Sequence, residues 1–206
     1  MTDDRRKAAM EDHTIIEGLA GGDPAAFRHL VETYKKKVYF LALDMVGNSV
    51  DAEDVSQDVF LKIHRSFGTF KRDAKLGSWI YRITYNACID HLRKRQTSPD
   101  AVEDDVLESR LHAEPAMPVS PSLDPVRTAE AGLLQDRINH ALDKVSPQEK
   151  AVFLLRHYED FMLKDIAKTL DLSVGSVKSY LFRAVKKLQK ELGACGITPG
   201  LEASHD

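Results

Sequence analysis

Apolar residues recur three and four positions apart along most of the chain, with few alternating runs, so the pattern predicts an all-α protein. Asp23 and Pro24 form a helix cap followed by a proline, and Phe27, Leu30, Val31, Tyr34 and Val38 then make one buried stripe. Gly47 and Asn48 close that helix or its continuation. The next helix is predicted from about Ser49 through DAEDVSQDVFLKIHRSF, burying Ala52, Val55, Val59 and Ile63. A loop, GTFKRDAKLG, leads to a third helix beginning at Ser78. That helix has Trp79, Ile80, Ile83 and Ala87 on one face and Tyr81, Tyr85, Cys88 and Leu92 roughly opposite, the pattern of a helix sandwiched in a core.

In the second half, Leu133 to Val145 reads as a helix, and Ser146, Pro147 and Glu149 carry the capping signals of another. The strongest local pattern runs from Met162 to Leu192. A short helix with Leu163, Ile166, Ala167 and Leu170 inward meets the tight connection Asp171, Leu172, Ser173. A longer helix follows, with Val177, Leu181, Ala184, Val185 and Leu188 inward and Ser173 as its cap. This is the grammar of a helix-turn-helix.

Composition separates the two halves. From Thr97 to Glu130 there are eight acidic residues against two basic ones, and five of the eight prolines fall in the same stretch. Such a segment buries too little apolar surface to offset its ordering entropy, which predicts a flexible acidic linker over residues 97–128. The expected organisation is an N-terminal extension (1–22), a helical domain (23–96), the linker, a helix-turn-helix domain (129–192) and a tail (193–206). With 206 residues and 43% hydrophobic content, two small domains can each bury a modest core.

The net charge of -3 argues by itself against a nucleic-acid partner, but the charge is segregated. From Met162 to Lys190 the basic residues Lys164, Lys168, Lys178, Arg183, Lys186, Lys187 and Lys190 face only Asp165 and Asp171. Cys88 and Cys195 make neither a ligand pair nor a disulfide framework, which points to a reducing cytoplasm and implies no metal site and no cofactor. The charged N-terminus is followed by no apolar segment of signal or membrane-spanning length, so no membrane insertion is expected.

Three segments carry candidate chemistry. Asp54, Gln57, Asp58 and Leu61 fall at i, i+3, i+4 and i+7, an apolar residue among carboxylates and an amide that suits docking of a basic protein surface. Phe70, Lys71, Arg72 and Lys75 precede the helix of Trp79, Tyr85 and Asn86, which ends in Arg93, Lys94 and Arg95. Aromatics interleaved with cations suit unpaired bases, each of which offers a face to stack and a phosphate to neutralise. On the last helix Ser179, Phe182, Arg183, Lys186 and Lys190 point away from the buried stripe. Such a face can read base edges and thymine methyls as well as phosphate.

Taken together, DAEDVSQDVFLKI, GSWIYRITYNACIDHLRKR and SVGSVKSYLFRAVKKL, in that order around an acidic linker, resemble the extracytoplasmic-function sigma factors over about Asp23 to Leu192. The resemblance implies a first domain that docks on the clamp helices of the largest subunit of core RNA polymerase, melts the minus-ten element and traps a flipped base. It implies a second domain that reads the minus-thirty-five element of promoter DNA, and a linker that runs through the polymerase active-site cleft and RNA exit path. Carried over by residue, Asp54, Gln57, Asp58 and Leu61 would contact polymerase. Phe70, Lys71, Arg72, Lys75, Trp79, Tyr85, Asn86, Arg93 and Lys94 would hold the minus-ten DNA. Lys178, Ser179, Phe182 and Arg183 would face the minus-thirty-five bases, with Lys186 and Lys190 on phosphate. Lys178 and Tyr180 stand where arginine is frequent in the family. An anti-sigma factor is the further partner implied, and no enzymatic activity is. Two rivals remain open to the residues alone. One is a stand-alone helix-turn-helix regulator with a sensing or dimerising N-terminal half, and the other is a DNA-acting enzyme such as a recombinase. No carboxylate cluster at metal spacing favours the enzyme.

Overall fold

The computed structural model describes residues 2–70, 75–97, 140–142, 144–159 and 161–194. Among them all regular structure is helical: α1 (Thr2–Ala20), α2 (Pro24–Val46), α3 (Ser49–Ser66), a 3₁₀ turn (Phe67–Thr69), α4 (Leu76–Thr97), α5 (Pro147–His157), α6 (Leu163–Leu170) and α7 (Val174–Ala194). The chain forms two compact units, one built from α1, most of α2, α3 and α4, the other containing α5 to α7. The linker expected at 97–128 lies outside the described residues beyond Thr97. So do most of the helix expected at Leu133 to Val145 and the tail from Cys195 onward.

In the first unit the capping signals act as the sequence implies. Asp23 Oδ1 accepts the Ala25 amide at 2.8 Å, which satisfies an otherwise unpaired donor at the start of α2. Gly47, at φ 87, ends α2 in a conformation that a side chain disfavours. Leu30, Tyr34 and Val38 of α2 are buried, as are Ala52, Val55, Val59 and Ile63 of α3. Helix α4 buries one broad side through Ile80, Tyr81, Thr84, Ala87 and Cys88. Burial pushes the Cys88 thiol up to about 12, which makes it a small core residue rather than a reactive thiolate.

In this unit two boundaries differ from those expected. Within the expected N-terminal extension, α1 packs against α4 with Ile15 fully buried. The hydroxyl of Tyr34 donates to Asp12 Oδ1 at 2.6 Å. The loop after α3 is also shorter than expected, because α4 starts at Leu76 rather than Ser78. Gly77 is helical there and makes no turn; a Cβ at that position would stand 3.4 Å from the Tyr34 hydroxyl, an ordinary van der Waals contact.

In the second unit Ser146 and Glu149 complete a capping box at the start of α5. Between α6 and α7, Asp171 takes a left-handed conformation at φ 54, and the Leu172 amide donates to the Ala167 carbonyl at 2.9 Å. Ser173 Oγ then accepts the Ser176 amide at 3.0 Å. Cap, turn and cap within three residues fix the direction in which α7 leaves. Helix α7 packs on both α5 and α6 through Val177, Ala184, Val185 and Leu188, and it continues through Gly193 and Ala194, which the sequence reading had placed in the tail.

Candidate nucleic-acid and protein interfaces

On α3 the buried row Ala52, Val55, Val59 and Ile63 turns inward, which leaves Asp54, Gln57, Asp58 and Leu61 exposed side by side. Leu61 is 53% exposed, a large apolar side chain with no covering group of its own. Asp51, one turn earlier, does more than complement the helix dipole. Its Oδ2 lies 3.1 Å from His91 Nε2 and 3.3 Å from Arg95 Nη1, joining the start of α3 to the end of α4.

The second candidate surface lies on α4. Measured from Lys75 at 100° per residue, Arg82, Asn86 and Arg93 all return to within about 20° of the same direction, opposite the buried side. All four are exposed. Lys94 is exposed as well, and Tyr85 is half-buried beside this row. Arg82 was not singled out from sequence, although its spacing from Lys75 and Asn86 carried the signal. Lys71 and Arg72 lie outside the described residues.

Trp79 requires a correction. Its direction on α4 is close to that of the exposed row, yet it is only 6% exposed because Phe67 and Phe70 fold over it. Their ring centroids stand 6.2 and 5.2 Å from the Trp79 ring and 5.9 Å from each other. In this structure two rings cover Trp79, so it presents no open face. It becomes instead the floor on which half-buried Phe70 rests. On the other side of these phenylalanines a cavity of about 550 Å³, walled by Phe27, His64, Phe67 and Phe70 among others, opens between the end of α1, the start of α2 and the end of α3.

On α7 the helical projection puts Ser179, Lys186 and Lys190 at the centre of the outward face. Lys178 and Phe182 lie on one flank and Arg183 on the other. All six are exposed, Phe182 by 64%. Arg183 is less independent than the sequence implies. Its Nε pairs with Glu149 Oε1 on α5 at 3.0 Å, and its guanidinium carbon stands 4.9 Å from the centroid of the Tyr180 ring. Glu149 Oε2 also accepts from Lys187 Nζ at 2.6 Å. Burial alone would raise the Glu149 carboxyl, but hydrogen bonds from Lys187 and Ser146 outweigh it and hold the group below the ordinary carboxylate value. Glu149 was read from sequence only as a cap. Its partners are more than thirty positions away, beyond the reach of any periodicity.

Among the described residues no group of three or more His, Cys, Asp or Glu is placed to hold a metal, and no helix is long and apolar enough to cross a membrane. Residues 30–98 match the family model for Sigma-70 region 2, and residues 135–188 match that for Sigma-70, region 4. The chain is 30% identical to the RNA polymerase sigma-H factor of Pseudomonas aeruginosa, over 88% of this chain and 94% of that one. It is also 30% identical to the ECF RNA polymerase sigma factor SigW of Bacillus subtilis, over 86% and 94%. Two solved structures share the fold. The sigma factor RpoE of Bartonella quintana, in complex with the anti-sigma factor NepR, has a TM-score of 0.64 at 24% identity, covering 81% of this chain and 96% of that one. CnrH, in complex with the cytosolic domain of CnrY, has a TM-score of 0.63 at 21% identity, covering 89% and 98%. Two sigma-70 regions in order, with relatives named as RNA polymerase sigma factors, resolve the choice left open by the residues against a stand-alone regulator. The chain belongs to the extracytoplasmic-function sigma factors of the sigma-70 family.

Proposed function

We propose that the three exposed surfaces divide the work of a sigma factor among them. As a family member the chain binds core RNA polymerase and directs it to promoters for initiation. The α3 patch of Asp54, Gln57, Asp58 and Leu61 docks on the clamp helices of the largest subunit, with Leu61 as the apolar contact and the carboxylates selecting a basic partner. The row Lys75, Arg82, Asn86 and Arg93, with Lys94, Tyr85 and Phe70, takes up the minus-ten element and opens it. The α7 face reads the minus-thirty-five element, with Lys178, Ser179, Phe182 and Arg183 on bases and Lys186 and Lys190 on phosphate.

The observation that carries this reading is the α7 face. A capped, fixed helix-turn-helix presents hydroxyl, aromatic and cationic side chains together and unburied, in a chain whose region 4 match ends at residue 188 within that helix. The protein acts as an initiation factor in the cytoplasm and not as an enzyme. Because RpoE and CnrH were each solved with another protein, one of them an anti-sigma factor, this chain too is held by an anti-sigma factor that occludes one or more of these surfaces. Promoter binding by holoenzyme across single-base variants tests the α7 assignment. Arg183→Ala is expected to cost about 1–3 kcal/mol on the preferred minus-thirty-five sequence and to relax preference at one or two base pairs. An unchanged base profile would remove α7 from its assigned role.

A further inference from the structure

Arg183 is held from two directions. Its Nε pairs with Glu149 Oε1 at 3.0 Å, and the Tyr180 ring covers its guanidinium carbon at 4.9 Å. Of the pair, the carboxylate is the fixed member. Its side chain is 6% exposed against 52% for Arg183, and Oε2 is tied to the Ser146 amide of the α5 cap at 3.3 Å. A guanidinium has one Nε–H and two terminal NH₂ groups. With Nε engaged and one face stacked, the terminal edge is the part left to meet DNA, and that edge is the fork that matches guanine O6 and N7. Lys187, on the other carboxylate oxygen at 2.6 Å, offsets the negative charge that Glu149 would otherwise bring near a phosphate-lined groove.

We propose that Glu149, a residue outside the helix-turn-helix, is a specificity-determining positioning residue that acts with Tyr180 to orient Arg183 toward the minus-thirty-five bases. The proposal rests on the reading that Arg183 contacts bases. An arginine already held in its reading geometry loses less rotamer freedom on binding, so the clamp strengthens the correct contact and tolerates the wrong base less.

The test measures holoenzyme binding to a promoter series varied at single minus-thirty-five base pairs. Glu149→Gln keeps the shape and cap acceptor but removes the charge that holds Nε, and is expected to reduce discrimination at the Arg183 base pair about tenfold. The double variant Glu149→Gln, Arg183→Ala should behave as Arg183→Ala alone, since both remove one contact. Tyr180→Leu removes the stacked ring without touching the cap and should flatten the same position. Lys187→Ala should change salt dependence while leaving the base profile alone. If Arg183→Ala flattens the profile but Glu149→Gln and Tyr180→Leu do not, the clamp is refuted while the reading role stands. A sharper preference in Glu149→Gln would overturn the proposal in the opposite sense, showing that Glu149 restrains Arg183 from DNA. If Arg183→Ala itself leaves the profile unchanged, the base-reading role fails and the clamp fails with it.

Discussion

Trp79 is the residue at which folding and promoter opening are most easily confused. It is 6% exposed and carries Phe70 at 5.2 Å and Phe67 at 6.2 Å. Trp79→Ala removes a buried indole whose place neighbouring helices cannot fill, a change that typically costs about 3–5 kcal/mol. The loss of edge and tilted ring contacts lies within that figure rather than on top of it. Against a domain stability of about 5–15 kcal/mol, this is enough to populate unfolded first domain at moderate temperature. Trp79→Phe keeps a ring against Phe70 and should recover at least half of the loss. Unfolding of the full chain in urea, followed by far-UV circular dichroism and by hydrogen exchange of the α4 amides, gives the two stabilities. Fluorescence cannot report on these variants, since Trp79 is the chain's one tryptophan. Promoter opening should follow stability, with Trp79→Phe opening DNA at temperatures where Trp79→Ala does not. A Trp79→Ala variant destabilised by less than about 1 kcal/mol but unable to open DNA would refute this reasoning and return Trp79 to the DNA contact surface.

Charge reversal of Asp54 and Asp58 to Lys should weaken binding to core polymerase in direct titration while changing stability by no more than about 0.5 kcal/mol, because both side chains are exposed. Asn86→Ala should retain closed-complex formation and lose opening, with the defect shrinking on a template already mismatched at the minus-ten element, where no unstacking is required. Lys190→Ala should weaken binding to all sequences alike and lower the salt slope by roughly one phosphate contact. The Glu149 carboxyl is held below its ordinary value of 4.5, so the stability it contributes is present above that value and lost as pH falls through its folded value. The stability difference between the native chain and Glu149→Gln should therefore vanish on acidification, and a difference that persists would mean the ionised carboxylate is not its source.

Where neighbouring residues settle the structure, the sequence was sufficient. Ser146 with Glu149, Ser173 before α7, and the inward rows of α3 and α7 follow from spacing and cap chemistry and are present, with Leu181 of the α7 row only half-buried. What escaped were contacts between helices distant in sequence. Helix α1 is charge-rich and shows no broad apolar stripe, so nothing along it announces that Ile15 is buried or that Gly18 lies against Ala26, where a Cβ would come within 2.5 Å. Gly77 reads as a loop residue but lies within α4 beside Tyr34. Trp79 shares an apolar face with Ile80, Ile83 and Ala87 by periodicity, but that Phe67 and Phe70 are what cover it is visible only in the fold. The residues expected to face outward on α7 are exposed, but the partner that holds Arg183 sits on α5.

This chain gives core RNA polymerase the ability to start at a specific promoter. Run-off transcription with purified core enzyme, the full chain and a promoter selected by its holoenzyme tests it most directly. A discrete transcript is expected that requires the chain and is abolished by Asp54→Lys with Asp58→Lys. A chain that binds the same DNA tightly as a dimer without polymerase, and yields no transcript with it, would not be an initiation factor.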